Sequence, residues 1–557
     1  MKRLWMWAAA CCLLAIAPLN AQEILERPRL VVGIVVDQMR YDYLYRYYDA
    51  YGPDGFKRLL REGFSCENTL YNYWPTYTGP GHAAIYTGTT PNLNGIIANE
   101  WYDRQWGRRR YVTTDTTVNA VGTRKPEDKS GRHSPRVLLS STISDELRLG
   151  FAMKSKVVGI CLKDRGSILP AGHFPDACYW FDDRTGNWIT STYYTQQLPD
   201  WVAAFNRLEK ARQYLDGVWD KLHQRPYRES FENWRKYAGG NYPPMALVQP
   251  GGFPYNLRYW RDSLYQNYGY GLLRFVPEGN TITVDFAISA IEKMELGRDE
   301  YPDMLCLSFS TPDYCGHQFG IHAEEVQDVY LRLDLEIARL LKFLDEQLGK
   351  DNVLVFLTAD HGAAETPRHL QDLMAPAGVF PESKLKDTLN ARLQRAFGVK
   401  KEFVLATYNQ QLWFNRRELS PKSLQTAMEI AKAYLREQPG VYDALTVEEI
   451  MRLPAEYPFV AETRRGLHPH RSGDLVFFLE PGWHSDDEYF GQGGTTHGSP
   501  YPYDTHVPLL WYGWKIKPGQ TVEAVSITDI APTLAALLRI MRPNGCTGKV
   551  IEDLWDD

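Results

Sequence analysis

The chain has 557 residues, 44% of them hydrophobic and 13% aromatic, and a formal net charge of -6. That content is enough to bury at least one large core and excludes a disordered or fibrous chain. Lys, Arg, Asp and Glu are mixed along it without the basic stripe that would track a nucleic-acid backbone, so nucleic acid is not an expected partner.

In chain order, Lys2 and Arg3 precede an apolar run from Leu4 to Pro18, followed by Leu19, Asn20 and Ala21. A charged start, a short apolar stretch and a small residue at a cleavage position read as an export signal over residues 1–21. The mature chain is then expected to start near Gln22, in the periplasm or outside the cell. Lipidation at Cys11 or Cys12 is the lesser alternative, because only about seven apolar residues precede Cys11. No later stretch reaches the roughly 18 apolar residues of a membrane span, and an exported, soluble, monomeric product is expected. Cys66, Cys161, Cys178, Cys306, Cys315 and Cys546 remain. Their even number permits disulfides in an oxidising compartment but their spacing gives no pairing, and buried thiols at Cys161 and Cys306 are an equal alternative.

Apolar runs at Leu30 to Val36, Val157 to Leu162, Met304 to Phe309 and Val353 to Leu357 predict strands buried on both faces. Between the last two, Val326, Tyr330, Leu333, Ile337, Leu340, Leu341, Leu344 and Leu348 form one helical stripe that Gly349 stops, completing a strand, helix, strand unit. Thr528 and Asp529, ahead of Pro532 and "TLAALLRI", predict a capped helix start. The fold class is therefore α/β, with a mostly parallel central sheet flanked by helices and interrupted by inserted cap segments. The expected boundaries are core over 22–180, an aromatic-rich insertion over 181–300, core over 301–365, a second insertion over 366–480 and core over 481–557. No fixed-period repeat is visible.

Chemistry-bearing residues follow the strands. Asp37 comes after Val36, Lys163 and Arg165 after Leu162, Asp313 and His317 after "LCLSFSTP", and Asp360 and His361 after "VLVFLTA". Ligand sites of open parallel sheets form outside the carboxyl ends of the strands, so these separated residues are expected to converge on one crevice. Three aspartates and two histidines there form a metal signal, and "GGTTHGSP" adds His497 on a Gly-rich loop. Asp and neutral His suit zinc, and two metals need about six such ligands. Any one Asp-His pair alone reads as a cap or a turn. The stretch "WPTYTGPGHAAIYTG" places Thr78 on a turn ahead of an apolar helical run, where free backbone N–H groups attract an anion. Thr78 is the expected nucleophile, activated by a metal or a base.

Asp37, "T-G-P-G-H" at Thr78, Asn99, "D-x-x-x-H" at Asp313 and His317, "A-D-H-G" at Asp360 and His361, and "T-H-G" at His497 occur in this order. With these motifs the chain resembles the alkaline phosphatase superfamily, in particular bacterial secreted two-zinc alkaline phosphatases with a threonine nucleophile. These are related in core to the nucleotide pyrophosphatase/phosphodiesterases. The resemblance implies one zinc on Asp313, His317 and His497 and another on Asp37, Asp360 and His361, with Thr78 also at the metals and bridging toward substrate. It implies that Asn99, Lys163 and Arg165 contact phosphoryl oxygens of a small-molecule phosphate monoester, Lys163 and Arg165 marking the monoesterase branch. The pair stands two residues apart on what reads as an extended segment, hence on one side.

A phosphodiesterase or nucleotide pyrophosphatase would keep the same metals, Thr78 and Asn99 and is the alternative. A catalytically inactive phosphate-binding protein fits less well, since every ligand and the nucleophile are present. A sulfatase of the superfamily would need "C/S-x-P-x-R", which the Thr78 turn does not offer. His82, His322 and His506 are expected to be structural, and Tyr77 and Tyr314 flank the site.

Overall fold

The computed structural model describes residues 26–224, 227–230, 232–237, 252–264, 266–486 and 494–555. The expected export signal lies outside the described residues. At the centre is β1 (Leu30–Val36), buried along its whole length because its Val, Ile and Leu side chains leave no polar face to expose. The rest of its sheet consists of β2 (Phe64–Leu70), β3 (Ala120–Val121), β4 (Val157–Cys161), β5 (Ala177–Asp182), β6 (Asn187–Ser191), β7 (Asp303–Phe309), β8 (Val353–Thr358), β9 (Leu509–Gly513) and β10 (Gly519–Ser526). Their spatial order is β10-β2-β9-β8-β1-β7-β4-β5-β6-β3. The run from β8 to β5 is parallel throughout, β9 and β6 run antiparallel to both neighbours, and β10 is parallel to β2. The molecule has the α/β architecture that the apolar runs predict.

Helices α1 (Thr78–Thr87), α2 (Asp164–Ala171), α3 (Thr311–Phe319), α4 (Glu324–Leu348) and α5 (Ile530–Leu538) flank this sheet. Gly33 of β1 allows α1 to lie close, since a Cβ there would stand 2.3 Å from the Tyr86 hydroxyl and 2.5 Å from the Phe356 ring. The predicted stripe forms α4, and Gly349, at φ 85°, ends it. The last helix departs slightly from expectation. Its cap is a box between Ser526 and Asp529 around an intervening 3-10 turn, and α5 begins only at Ile530.

Two regions elaborate the sheet. β5 and β6 carry it beyond residue 180, and the helix Glu278–Lys293 packs there, Phe286 stacking on Trp188 at 4.3 Å. Within 366–480 a second, antiparallel sheet joins Val404–Tyr408, Gln411–Phe414, Leu475–Leu479 and Val441–Thr446 in that spatial order. Helices Leu385–Phe397 and Pro421–Arg436 cover it around its own apolar cluster, which includes Leu389, Phe414, Ala431 and Phe477. The six cysteines among the described residues are all free thiols, and all but Cys546 are buried. The disulfide alternative thus gives way to thiols packed as small apolar groups. No described helix is long and apolar enough to cross a membrane.

Candidate active site

Five elements deliver their residues to the carboxyl edge of the parallel strands. Asp37 leaves β1 with its backbone N–H still bonded to the Phe309 carbonyl of β7 at 3.0 Å. Asp360 and His361 follow β8, Asp313 and His317 lie on α3 behind β7, and Lys163 and Arg165 follow β4. His497 comes from the loop before β9. The two expected triads assemble: one ligating atom each from Asp313, His317 and His497 lie within 4.8 Å of one another, as do those of Asp37, Asp360 and His361. The His361 and His497 rings stack at 3.5 Å, so the triads are neighbours.

Each histidine is held through one nitrogen. Nδ1 faces a backbone carbonyl in all three, His317 on Thr495 at 2.8 Å, His361 on Gly362 at 3.0 Å and His497 on Thr76 at 2.8 Å. A donor at Nδ1 leaves Nε2 as the lone-pair nitrogen that a metal binds. Those Nε2 atoms point at the carboxylates, His317 to Asp313 Oδ1 at 3.1 Å and His361 to Asp37 Oδ1 at 3.5 Å. Asp37 Oδ1, Asp360 Oδ2 and His361 Nε2 are buried with no hydrogen-bond partner. Native proteins rarely leave such atoms orphaned, and a cation among them would satisfy all three. The donor set of each triad fits zinc.

Electrostatics favours the same conclusion. Burial, with the Asp313 charge beside it, pushes Asp37 up to about 6 despite Lys163. Burial and Asp37 raise Asp360 well above the carboxylate range. Burial and His317 bring His497 down to about 3, and burial and His497 hold His361 far below its ordinary value. The His361 and His497 imidazoles are thus neutral and ready to ligate, whereas the third, His317, is raised by its ion pair with Asp313 despite burial, and Asp313 is held well below its ordinary value by His317 and Lys163.

The nucleophile turn differs from its expected form. Thr78 is the first residue of α1 rather than a turn ahead of it, since extended Tyr77 is the N-cap and Gly79-Pro80-Gly81-His82 are already helical. Proline is tolerated there because first-turn N–H groups have no helical acceptor. The Thr78 hydroxyl faces Arg165 Nη2 at 3.4 Å. Asn99 accepts the Gly79 N–H at 2.7 Å, which leaves its NH2 as a donor. Lys163 and Arg165 do not share an extended segment: Lys163 is the N-cap of α2 and Arg165 lies in its first turn. The Lys163 ammonium sits 2.5 Å from Asp37 Oδ2 and 2.6 Å from Asp313 Oδ2, bridging the triads.

These groups line a cleft of 360 Å³. Residues that no motif marks line it or stand behind it. Tyr111 accepts from Arg165 at 3.0 Å and donates to Asp164 at 2.8 Å, steering the guanidinium. Gln38, in the left-handed region at φ 63°, donates its side-chain amide to Asp313 Oδ1 at 2.8 Å and its backbone N–H to Asp360 Oδ1 at 3.1 Å. From the second sheet, Tyr408 lies under the Arg109 guanidinium at 5.1 Å, and Asn409 bonds the Glu100 carbonyl at 2.8 Å. Tyr314 lines the cleft beneath Lys163, and Tyr77 packs edge-on against His497. His82 spans Thr78 O and Ser308 Oγ, both at 2.9 Å, and His506 bonds the Glu67 carbonyl at 2.9 Å, away from the cleft.

A parallel sheet whose strand ends bring two Asp/His triads against a helix-borne hydroxyl defines a hydrolytic enzyme of the α/β class with metal-binding groups. The sequence matches the family described as type I phosphodiesterase / nucleotide pyrophosphatase over residues 31–500. The chain belongs to this family, within the alkaline phosphatase superfamily. It is 43% identical to a Myroides odoratus protein named calcium-transporting ATPase, covering 98% of each chain. It is 41% identical to the alkaline phosphatase PafA of Elizabethkingia meningoseptica, covering 95% of this chain and 94% of that one. The crystal structure of wild-type PafA superposes with a TM-score of 0.87 at 40% identity, covering 96% of this chain and all of the other.

Proposed function

We propose that this phosphoric monoester hydrolase is an exported, zinc-dependent alkaline phosphatase of broad specificity that works through a covalent phosphothreonine at Thr78. One observation carries the metal requirement: three buried ligand atoms, Asp37 Oδ1, Asp360 Oδ2 and His361 Nε2, face one another without partners. Asp37, Asp360 and His361 would hold one zinc and Asp313, His317 and His497 the other. Bound there, zinc supplies positive charge that lowers the pKa of the Thr78 hydroxyl and stabilises the oxygen leaving phosphorus.

The chain's own groups do the positioning. Thr78 Oγ1, at the positive end of α1, attacks phosphorus as the bond to the alcohol breaks, and water then attacks the same phosphorus to release phosphate and restore the hydroxyl. Arg165, 3.4 Å from that hydroxyl, presents a planar fork to two non-bridging oxygens. The Asn99 NH2 and the Thr78 N–H at the start of α1 hold the rest. The loose transition state of monoester hydrolysis rewards such charge placement more than covalent assistance.

The test is kcat/KM for aryl phosphate monoesters and diesters, with zinc content measured on the same sample. A monoester preference with close to two active-site zinc ions is expected. A diester preference would move the assignment to a phosphodiesterase.

A further inference from the structure

We infer that His322, Glu365 and His369 form a third metal site, outside the catalytic cleft, that binds zinc and braces the active-site ligands. Sequence analysis expects His322 to be structural. The fold brings the three together, with one ligating atom each within 4.8 Å of one another, as in the two candidate metal triads.

Two atoms of this group ask for a partner. Glu365 Oε2 and His369 Nδ1 are buried and make no hydrogen bond. The other carboxylate oxygen, Oε1, lies 3.1 Å from His322 Nε2, where a proton on that nitrogen occupies the position a metal would take. Two imidazoles and one carboxylate suit zinc rather than calcium or magnesium, which prefer oxygen alone. The three side chains are only partly buried, which gives an ion a way in. Arg46, 3.5 Å from His322 Nδ1, Arg40 and Lys236 are nearby cations, the two arginines paired with Asp42 at 2.6 and 2.8 Å and Lys236 with Asp372 at 3.1 Å. The Trp234 ring packs edge-on against His322 at 4.7 Å and tilted against His369 at 4.6 Å.

The bracing follows from where the three residues sit. His322 is three residues past the end of α3, which carries Asp313 and His317. Glu365 is four residues past His361, on a segment whose Ala364 N–H bonds the Thr496 carbonyl at 3.0 Å, next to His497. His369 stands in the first turn of Pro367–Asp372. An ion here would tie together the segments that follow both catalytic triads.

The experiment compares wild type with the single variants His322→Ala, His369→Gln and Glu365→Gln, using zinc content, thermal unfolding with and without added zinc, and anomalous diffraction at the zinc edge. Wild type is expected to carry one zinc more than each variant, to show an anomalous peak among the three side chains, and to gain several degrees in Tm from zinc that the variants do not gain. Because the measure is a difference between proteins with intact catalytic triads, it is independent of how many ions the catalytic cleft holds. Circular dichroism selects the folded variants. Folded variants with wild-type zinc content, or zinc-soaked crystals with no peak at this position, would overturn the inference.

Discussion

Thr78 has its hydroxyl at the start of a buried helix, facing Arg165. Thr78→Ala should therefore abolish turnover without unfolding the protein, while Thr78→Ser keeps appreciable activity because serine forms the same ester. Mass spectrometry of acid-quenched enzyme checks the phosphorylated residue, and wild-type rates in Thr78→Ala would direct attention to Thr76. Lys163 and Arg165 should distinguish substrates. A monoester dianion carries more charge than a diester monoanion, and a charge-assisted contact is worth on the order of 1.5 to 3 kcal/mol. The double change to alanine should cost monoester kcat/KM roughly ten- to a hundredfold and diesters much less, and equal losses on both substrates would count against charge reading. At this scale the strand-end ligands were legible, because a parallel sheet sends every strand terminus to one edge. Gln38 was not, since its aim depends on a left-handed backbone that an ordinary Gln side chain does not announce.

At the scale of elements, α1 and the end of β8 must lie in close contact for the hydroxyl to meet the triads. Gly81 permits it: a Cβ there would stand 2.3 Å from the Asp360 carbonyl oxygen and 2.8 Å from its Cβ. Gly81→Ala should cost about 1–3 kcal/mol by overpacking and lower kcat more than it raises KM, read by urea unfolding and steady-state kinetics. Unchanged stability and kinetics would mean that the helix can slide without consequence. The central strands and α4 were readable from apolar pattern because both faces or one stripe must be buried. The start of α1 was not: Gly-Pro-Gly is the composition of a turn, and tertiary burial of the whole helix overrides that local preference. The start of α2 was obscured in the same way, a helix beginning between two cations that read as extended.

For the whole molecule, pH and metal are the relevant variables. Asp504 fixes the loop behind His497 by accepting from the Ser499 N–H at 2.8 Å and hydroxyl at 2.6 Å. Burial raises its carboxyl from 3.8 to about 7. A folded pKa above the unfolded one contributes stability that is complete below the unfolded value and is lost as pH rises through the folded one. Stability should thus fall between about pH 4 and about pH 7, by at most about 4 kcal/mol from this group, and Asp504→Asn should flatten that slope in urea titrations. A slope unchanged by the substitution would assign it to other buried carboxyls. Chelation should abolish hydrolysis and zinc restore it, and full activity in a rigorously metal-free sample would refute the metal requirement.

The Tyr408-Asn409 hairpin has a consequence for inheritance. The proposed catalytic groups come from the ends of the central sheet, but part of the cleft is lined by Tyr408 and Asn409 from a smaller sheet with its own apolar cluster. On the proposed function, substitutions in, or exchange of, that smaller sheet should alter which alcohols fit while the groups proposed to break the P–O bond stay where they are. Descendants of such a chain can diversify in diet without relearning the chemistry.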